Sequence, residues 1–164
     1  MRRIVVCDTG PLLHLSEANI IYLLPLAGEV IIPPVVAKEF AQNAFGIKLP
    51  DWVKVKDLNE TYRKKALVWA NQVDEGESAA IALTLQMHAE WLLSDDAKAR
   101  QFAESLGLEI HGSIGLLLWA VAAGHVESRD EALNLLNALV GSSLWISDRV
   151  VCQAHKAIDI LYLA

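Results

Sequence analysis

Three short apolar runs constrain this chain more than any other feature. Ile4–Cys7 (IVVC), Glu29–Ile32 (EVII) and Trp91–Leu93 (WLL) are each continuous, mostly β-branched or leucine-rich, and each is followed by a turn and a stretch with helical spacing. Strands without a polar alternation are buried on both faces. Strands alternating with helices are connected by crossovers, which place them parallel and cover the sheet on both sides. The expected fold is therefore α/β, with a central parallel sheet between helical layers.

The intervening segments fill in that plan. Asp8-Thr9-Gly10-Pro11 is a turn signal, after which Leu12–Leu26 reads as a helix, with Ser16 as a cap for its second part. Pro33-Pro34 suits a helix start, and the helix is expected over about Val35–Ala44. Trp52–Val55 alternates as an edge strand would. Helices are expected over Thr61–Gln72, Asp74–Ala89, Ala97–Leu106, Ser113–Gly124 and Arg129–Val140, with a last one beginning near Ser147. Gly107 stops the helix before it, and Leu108–Ile110 reads as a further strand. No repeat or linker interrupts the 164 residues, so one domain over 1–164 is expected.

Composition narrows the function classes. At 54% hydrophobic and 21% charged, the chain is of globular type. No apolar run reaches the roughly 18–20 residues needed to cross a bilayer, and the start, MRRIVVCDTG, lacks the long apolar stretch of a signal peptide. A cytoplasmic location is the expectation. Cys7 and Cys152 read as buried free thiols. The five histidines show no metal-ligand spacing and are assigned no chemistry. The net charge of −6 is the opposite of a basic nucleic-acid-binding face, although carboxylates gathered to hold cations also make a protein acidic.

The acids fall where a parallel sheet gathers its chemistry, at the carboxyl ends of strands. Asp8 follows the first strand and Asp95-Asp96 follows WLL, so one sheet edge receives both. Glu39 lies about one turn into the helix after the second strand, and Glu77 lies in the first turn of its helix. Crowded carboxylates resist joint ionisation unless a cation sits between them. Hard ions such as Mg²⁺ and Mn²⁺ prefer oxygen ligands, and a pair of them activates water and steadies the leaving oxygen of a phosphodiester. Structural roles compete at every position. Asp8 suits a helix cap, Glu39 a solvated helix face, and Asp74-Glu75-Gly76-Glu77 spells a capping box. Of Asp95 and Asp96, one caps the next helix while the other faces the ion. Ser94 either caps or hydrogen-bonds a carboxylate.

Among basic residues, Lys38, Lys98 and Arg100 lie near the acids in sequence and are candidates to guide an RNA backbone. Arg63-Lys64-Lys65 reads as a solvated helix face. The five tryptophans read mostly as core, with base stacking open only to an exposed one.

These segments resemble a known family. VVCDTGPLLHL resembles the opening of PIN-domain proteins, IIPPVVAKEF their second motif, and DEGESAAIAL their third. LLSDDAKARQFAESLGLEIHGSIGLLL resembles their fourth strand, its acidic turn and the next strand, loop and helix. The combination, with the tail SSLWISDRVV, is most similar to a small prokaryotic branch described as predicted nucleic-acid-binding. The resemblance implies a three-layer α/β/α PIN-like fold and a Mg²⁺- or Mn²⁺-dependent endoribonuclease, often the toxin of a toxin–antitoxin pair and often a homodimer. By position it carries the catalytic roles to Asp8, Glu39, Glu77 and Asp96, with Asp95 a further metal candidate, Ser94 in place of the family's threonine and Thr9 supporting. Many toxin members carry Asp where this chain has Glu77. The alternative is a PIN fold that is catalytically weak or inactive and acts as a binding or regulatory partner. A phosphate-accepting receiver domain needs its acid pair after the first strand and a lysine after the last, and here the pair comes late and no lysine follows LEI. Asp8-Thr9-Gly10 also spells the aspartic-protease motif, but that fold is all-β.

Overall fold

The computed structural model describes residues 2–163. Five strands form one all-parallel sheet in the order β3-β2-β1-β4-β5: β1 (Ile4–Cys7), β2 (Glu29–Ile32), β3 (Lys54–Val55), β4 (Trp91–Leu93) and β5 (Ile110–His111). The three apolar runs of the sequence are its centre, and the two-residue strands are its edges. Val5 pairs with Trp91 and Cys7 with Leu93, so β1 and β4 end together. The chain leaving β1 stays hydrogen-bonded across that end, the Asp8 amide donating to Leu93 O at 2.9 Å.

Side chains alternate across this sheet into two separate cores. Val5, Cys7, Val30, Ile32 and Leu93 face helices α1 (Thr9–Glu17), α2 (Leu24–Ala27), α3 (Pro34–Asn43), α7 (Ser113–Ala122), α8 (Arg129–Val140) and α9 (Asp148–Leu161). Val6, Ile31 and Leu92 face α5 (Glu75–Gln86) and α6 (Ala97–Ser105), with α4 (Glu60–Trp69) packed on α5. The result is the expected three-layer α/β/α arrangement. Among the described residues, no helix is long and apolar enough to cross a membrane.

The helix expected over Leu12–Leu26 is in fact three pieces. Asp8 accepts from the Thr9 amide as N-cap, so α1 starts at Thr9 and not at Leu12. It ends before Asn19, whose φ of 59° takes the chain out of helical geometry. A 3₁₀ turn at Ile21–Leu23 then leads into the short α2. Ser16 therefore lies in the last turn of α1, where its buried Oγ has no partner among the described residues, and caps nothing. Cys7 is a buried free thiol, but Cys152 corrects the expectation: it is free and exposed on α9. Helical spacing at Cys152 did not by itself say which face it lay on.

Candidate functional site

The N-caps and first turns of α1, α5, α6, α7 and α9 ring one cleft of about 940 Å³ at the carboxyl edge of the sheet. Asp8, Glu39, Asp74, Glu77, Asp95 and Asp96 all line it. Each acid is put there by local structure. Asp8 ends β1, and its Oδ1 accepts from the Thr9 amide at 2.8 Å. Asp74 and Glu77 form a reciprocal capping box on α5, with the Glu77 amide donating to Asp74 Oδ1 at 2.8 Å and the Asp74 amide to Glu77 Oε2 at 3.0 Å. Asp96 caps α6 through the Ala99 amide at 2.9 Å. Glu39 reaches across from the second turn of α3, where Thr9 Oγ1 donates to its Oε2 at 2.6 Å.

Structural and chemical roles thus fall on the same side chains, one oxygen at a time. The anchored oxygens leave Glu39 Oε1, Glu77 Oε1 and Asp96 Oδ2 without a hydrogen bond among the described residues. Asp8 Oδ2 receives only the long 3.3 Å bond from Ser94 Oγ. Ser94 is itself buried and also accepts from the Asp96 amide at 3.4 Å, tying the two strand-end turns together. Gly76 makes room for this grouping. A Cβ there would come within 2.5 Å of Glu39 Oε1 and 2.6 Å of Oε2, so a side chain at this position would displace the Glu39 carboxylate.

The electrostatics register the crowding. Asp8, only 6% exposed, is pushed up from 3.8 to about 7. Burial is the main cause, the Thr9 amide opposes it, and the charges of Glu77, Asp74 and Glu39 add to it. Glu77 is raised from 4.5 to about 7, again by burial first, opposed by the Asp74 amide and reinforced by Asp74 and Asp96. Both carboxyls therefore hold their protons to a higher pH than an ordinary carboxyl does, and a cation would favour their release. The donor set is all oxygen, which suits a hard divalent ion. Among the described residues, no three of these side chains already stand together as a complete ligand shell. The fit lies in donor chemistry and shared charge, not in a ligand shell already formed.

Asp95 is placed differently. Its Oδ1 accepts from the Ser113 amide at 2.7 Å, and its Oδ2 meets Ser113 Oγ at 2.6 Å and His14 Nδ1 at 2.7 Å. Both oxygens are engaged in joining the β4–α6 turn to α1 and the start of α7, and a Cβ on Gly112 would stand 2.9 Å from Oδ1. Asp96 supplies the cap and keeps the free oxygen, so the two roles open to this neighbouring pair both fall to Asp96. His14, which carries no chemistry on sequence grounds, lines the cleft through this network. Its contact with Asp95 spans 81 positions, and no local spacing signals it.

Of the basic residues, Arg100 lines the cleft, with its guanidinium beside Gly112. Lys38 and Lys98 are exposed but lie outside the lining. Arg63-Lys64-Lys65 is an exposed face of α4, with Lys64 at 3.4 Å from Glu60.

A family model described as a PIN domain matches residues 4–159. The chain belongs to the PIN-domain family. PIN domains are generally nucleases, and they typically use divalent metals, which agrees with the oxygen-only donor set found here. The matched span takes in Asp8, Glu39, Glu77 and Asp96 together with every element that positions them. No curated protein is similar enough in sequence to match this PIN domain.

Proposed function

We propose that this PIN domain is a Mg²⁺- or Mn²⁺-dependent endoribonuclease in which Asp8, Glu39, Glu77 and Asp96 hold the ion. The observation that carries the reading is that these four acids, from four separate segments, share one cleft while each keeps an oxygen free or only weakly bonded to a protein donor. Bound there, a divalent ion would supply an ionised water and offset charge on the departing oxygen of a phosphodiester. The chain's own residues do the rest. Thr9 orients Glu39, Ser94 orients Asp8, and the capping box holds Glu77 over the cleft. Asp8 and Glu77 give up their protons as the ion takes their place, so loading is favoured as pH rises through about 7. Arg100 offers the cleft a cation for a substrate phosphate.

The test is cleavage of end-labelled RNA with Mn²⁺, wild type against Asp8→Asn. Cutting that requires the ion and is lost in the variant supports the reading. If the wild type cuts nothing with Mn²⁺ or Mg²⁺, the reading is wrong and the inactive binding or regulatory protein takes its place. That second reading draws on the incomplete ligand shell of the bare cleft. A toxin role with an antitoxin partner and a homodimeric state extend the proposal through the family resemblance alone, and a cytoplasmic location stays an expectation from the sequence.

A further inference from the structure

We propose that His14 is the proton donor to the departing oxygen when the cleft cuts a phosphodiester, a role that rests on the nuclease reading above. The imidazole lines the same cleft as the four acids, and its Nδ1 meets Asp95 Oδ2 at 2.7 Å. A carboxylate only accepts hydrogen bonds, so Nδ1 carries a hydrogen. The other ring nitrogen, Nε2, is then the one left to give and take protons, which histidine does near neutrality. Nε2 has no hydrogen bond among the described residues and is not sealed in the interior, the side chain being 15% exposed.

Asp95 is a firm mount for this ring. The Ser113 amide at 2.7 Å and Ser113 Oγ at 2.6 Å hold its two oxygens at the start of α7. The pair is fitted against Gly10, where a Cβ would stand 3.5 Å from His14 Cε1 and 3.8 Å from Asp95 Cβ. The ring therefore lies beside the turn that carries Asp8. An aspartate on Nδ1 fixes the tautomer and the direction of Nε2, which is how a histidine is set to pass a proton in a hydrolysis.

The other proton carriers of the cleft are committed. Thr9 Oγ1 donates to Glu39 and Ser113 Oγ to Asp95. Asp8 and Glu77 lose their protons as the ion loads. Arg100 lines the cleft, but a guanidinium does not give up a proton. His111 lines it too, yet its Nε2 is buried without a partner among the described residues and its ring is stacked on Trp91, with centroids 4.3 Å apart. His14 Nε2 is what remains.

In the step itself, a water oxygen forms the new bond to phosphorus as the bond to the departing sugar oxygen breaks. Protonated His14 passes its Nε2 hydrogen to that oxygen, which leaves as a neutral hydroxyl. The attacking water loses a proton to solvent, and the imidazole takes one back from solvent, so nothing is oxidised or reduced. Without the donor a sugar alkoxide has to leave, which is costly. A p-nitrophenolate leaves as a stable anion and needs no proton.

That difference supplies the test. The full chain with Mn²⁺ is given end-labelled RNA and, separately, bis(p-nitrophenyl) phosphate. His14→Ala should slow RNA cleavage by about 10²- to 10⁴-fold, the contribution of one positioned acid, and change p-nitrophenolate release little. His14→Gln should show the same split, and imidazole in the buffer should restore part of the RNA rate to His14→Ala. Two readouts need no turnover. Calorimetry should give His14→Ala the Mn²⁺ affinity of the wild type. In the metal-free protein at alkaline pH, ¹H–¹⁵N imidazole spectra should place the hydrogen of His14 on Nδ1. A hydrogen on Nε2, a weakened Mn²⁺ affinity, or equal loss on both diesters without rescue by imidazole overturns the proposal. A wild type that cuts neither diester ends the nuclease reading and this proposal together. One that cuts both, with His14→Ala unimpaired on RNA, ends this proposal alone.

Discussion

Replacing Asp8 with asparagine should make the metal-free protein more stable at neutral and alkaline pH while ending its response to divalent ions. Asp8 ionises at 3.8 in an unfolded chain and near 7 in the fold. Between those values the folded state binds more protons than the unfolded one, so stability falls as pH rises and levels off above about 7. Raising a pKa by one is worth about 1.4 kcal/mol, which places the full cost of the ionised Asp8 at about 4 kcal/mol. Asparagine avoids that cost. Its Oδ1 can still accept from the Thr9 amide, and its Nδ2 can donate to Ser94 Oγ, so the local bonds survive in altered form. In EDTA, urea melts of variant and wild type should nearly coincide at about pH 4, then diverge to roughly 3–4 kcal/mol near pH 8. By thermal melting this is a gain of about 10 °C for a chain of this size. Adding Mn²⁺ should then raise the wild-type melting temperature with ion concentration and leave the variant where it was. A gap that does not change with pH, or a variant less stable than wild type near pH 8, would refute the claim that this carboxylate is held at a cost.

Three further substitutions probe the same cleft. Glu77→Gln retains the side chain type that completes a capping box, so urea stability at about pH 4 should move by less than about 1 kcal/mol. The variant should gain on the wild type as pH rises toward about 7, and by less than Asp8→Asn because Glu77 is partly exposed. Calorimetry should show Mn²⁺ affinity lost and cleavage with it. Gly76→Ala gains helix propensity of up to about 1 kcal/mol, yet its Cβ displaces Glu39; kcat/KM should fall at least about tenfold with the melting temperature equal or higher. Asp95→Ala strands the Ser113 amide and His14 without their partner. It should cost about 2–4 kcal/mol in urea denaturation, more than any substitution among the acids with a free oxygen.

Much of this arrangement was legible from residue order. An apolar β-branched run that stops at an acid is a local pattern, and Asp8 and Asp96 fell at the sheet edge because β1 and β4 are adjacent and end in register. Glu77 was legible twice, as a cap and as a cleft acid, because one carboxylate has two oxygens and uses them separately. The helix breaks around Asn19 were not legible. Apolar spacing continues through Leu26, and a left-handed backbone turn at one residue overrides it. The Asp95–His14–Ser113 network was invisible for a different reason. It depends on β4, α1 and α7 meeting in space, and nothing in the spacing of a lone histidine foretells that. Trp145 is 85% exposed while the other four tryptophans are buried or partly buried, and that likewise follows from which neighbours of a loop residue find the core.

The double duty of the carboxylates has a consequence for how such chains age. Asp74 and Asp96 each close the amino end of a helix, so the fold has its own reasons to retain them. A lineage that gave up cutting would go on inheriting these two letters to keep its helices started. Asp8 and Glu39 are different, since the charge of Asp8 costs the fold stability and Glu39 begins no helix. Drift should therefore erase those two first, and their retention, more than that of the capping acids, is the trace by which a working descendant is told from a silent one.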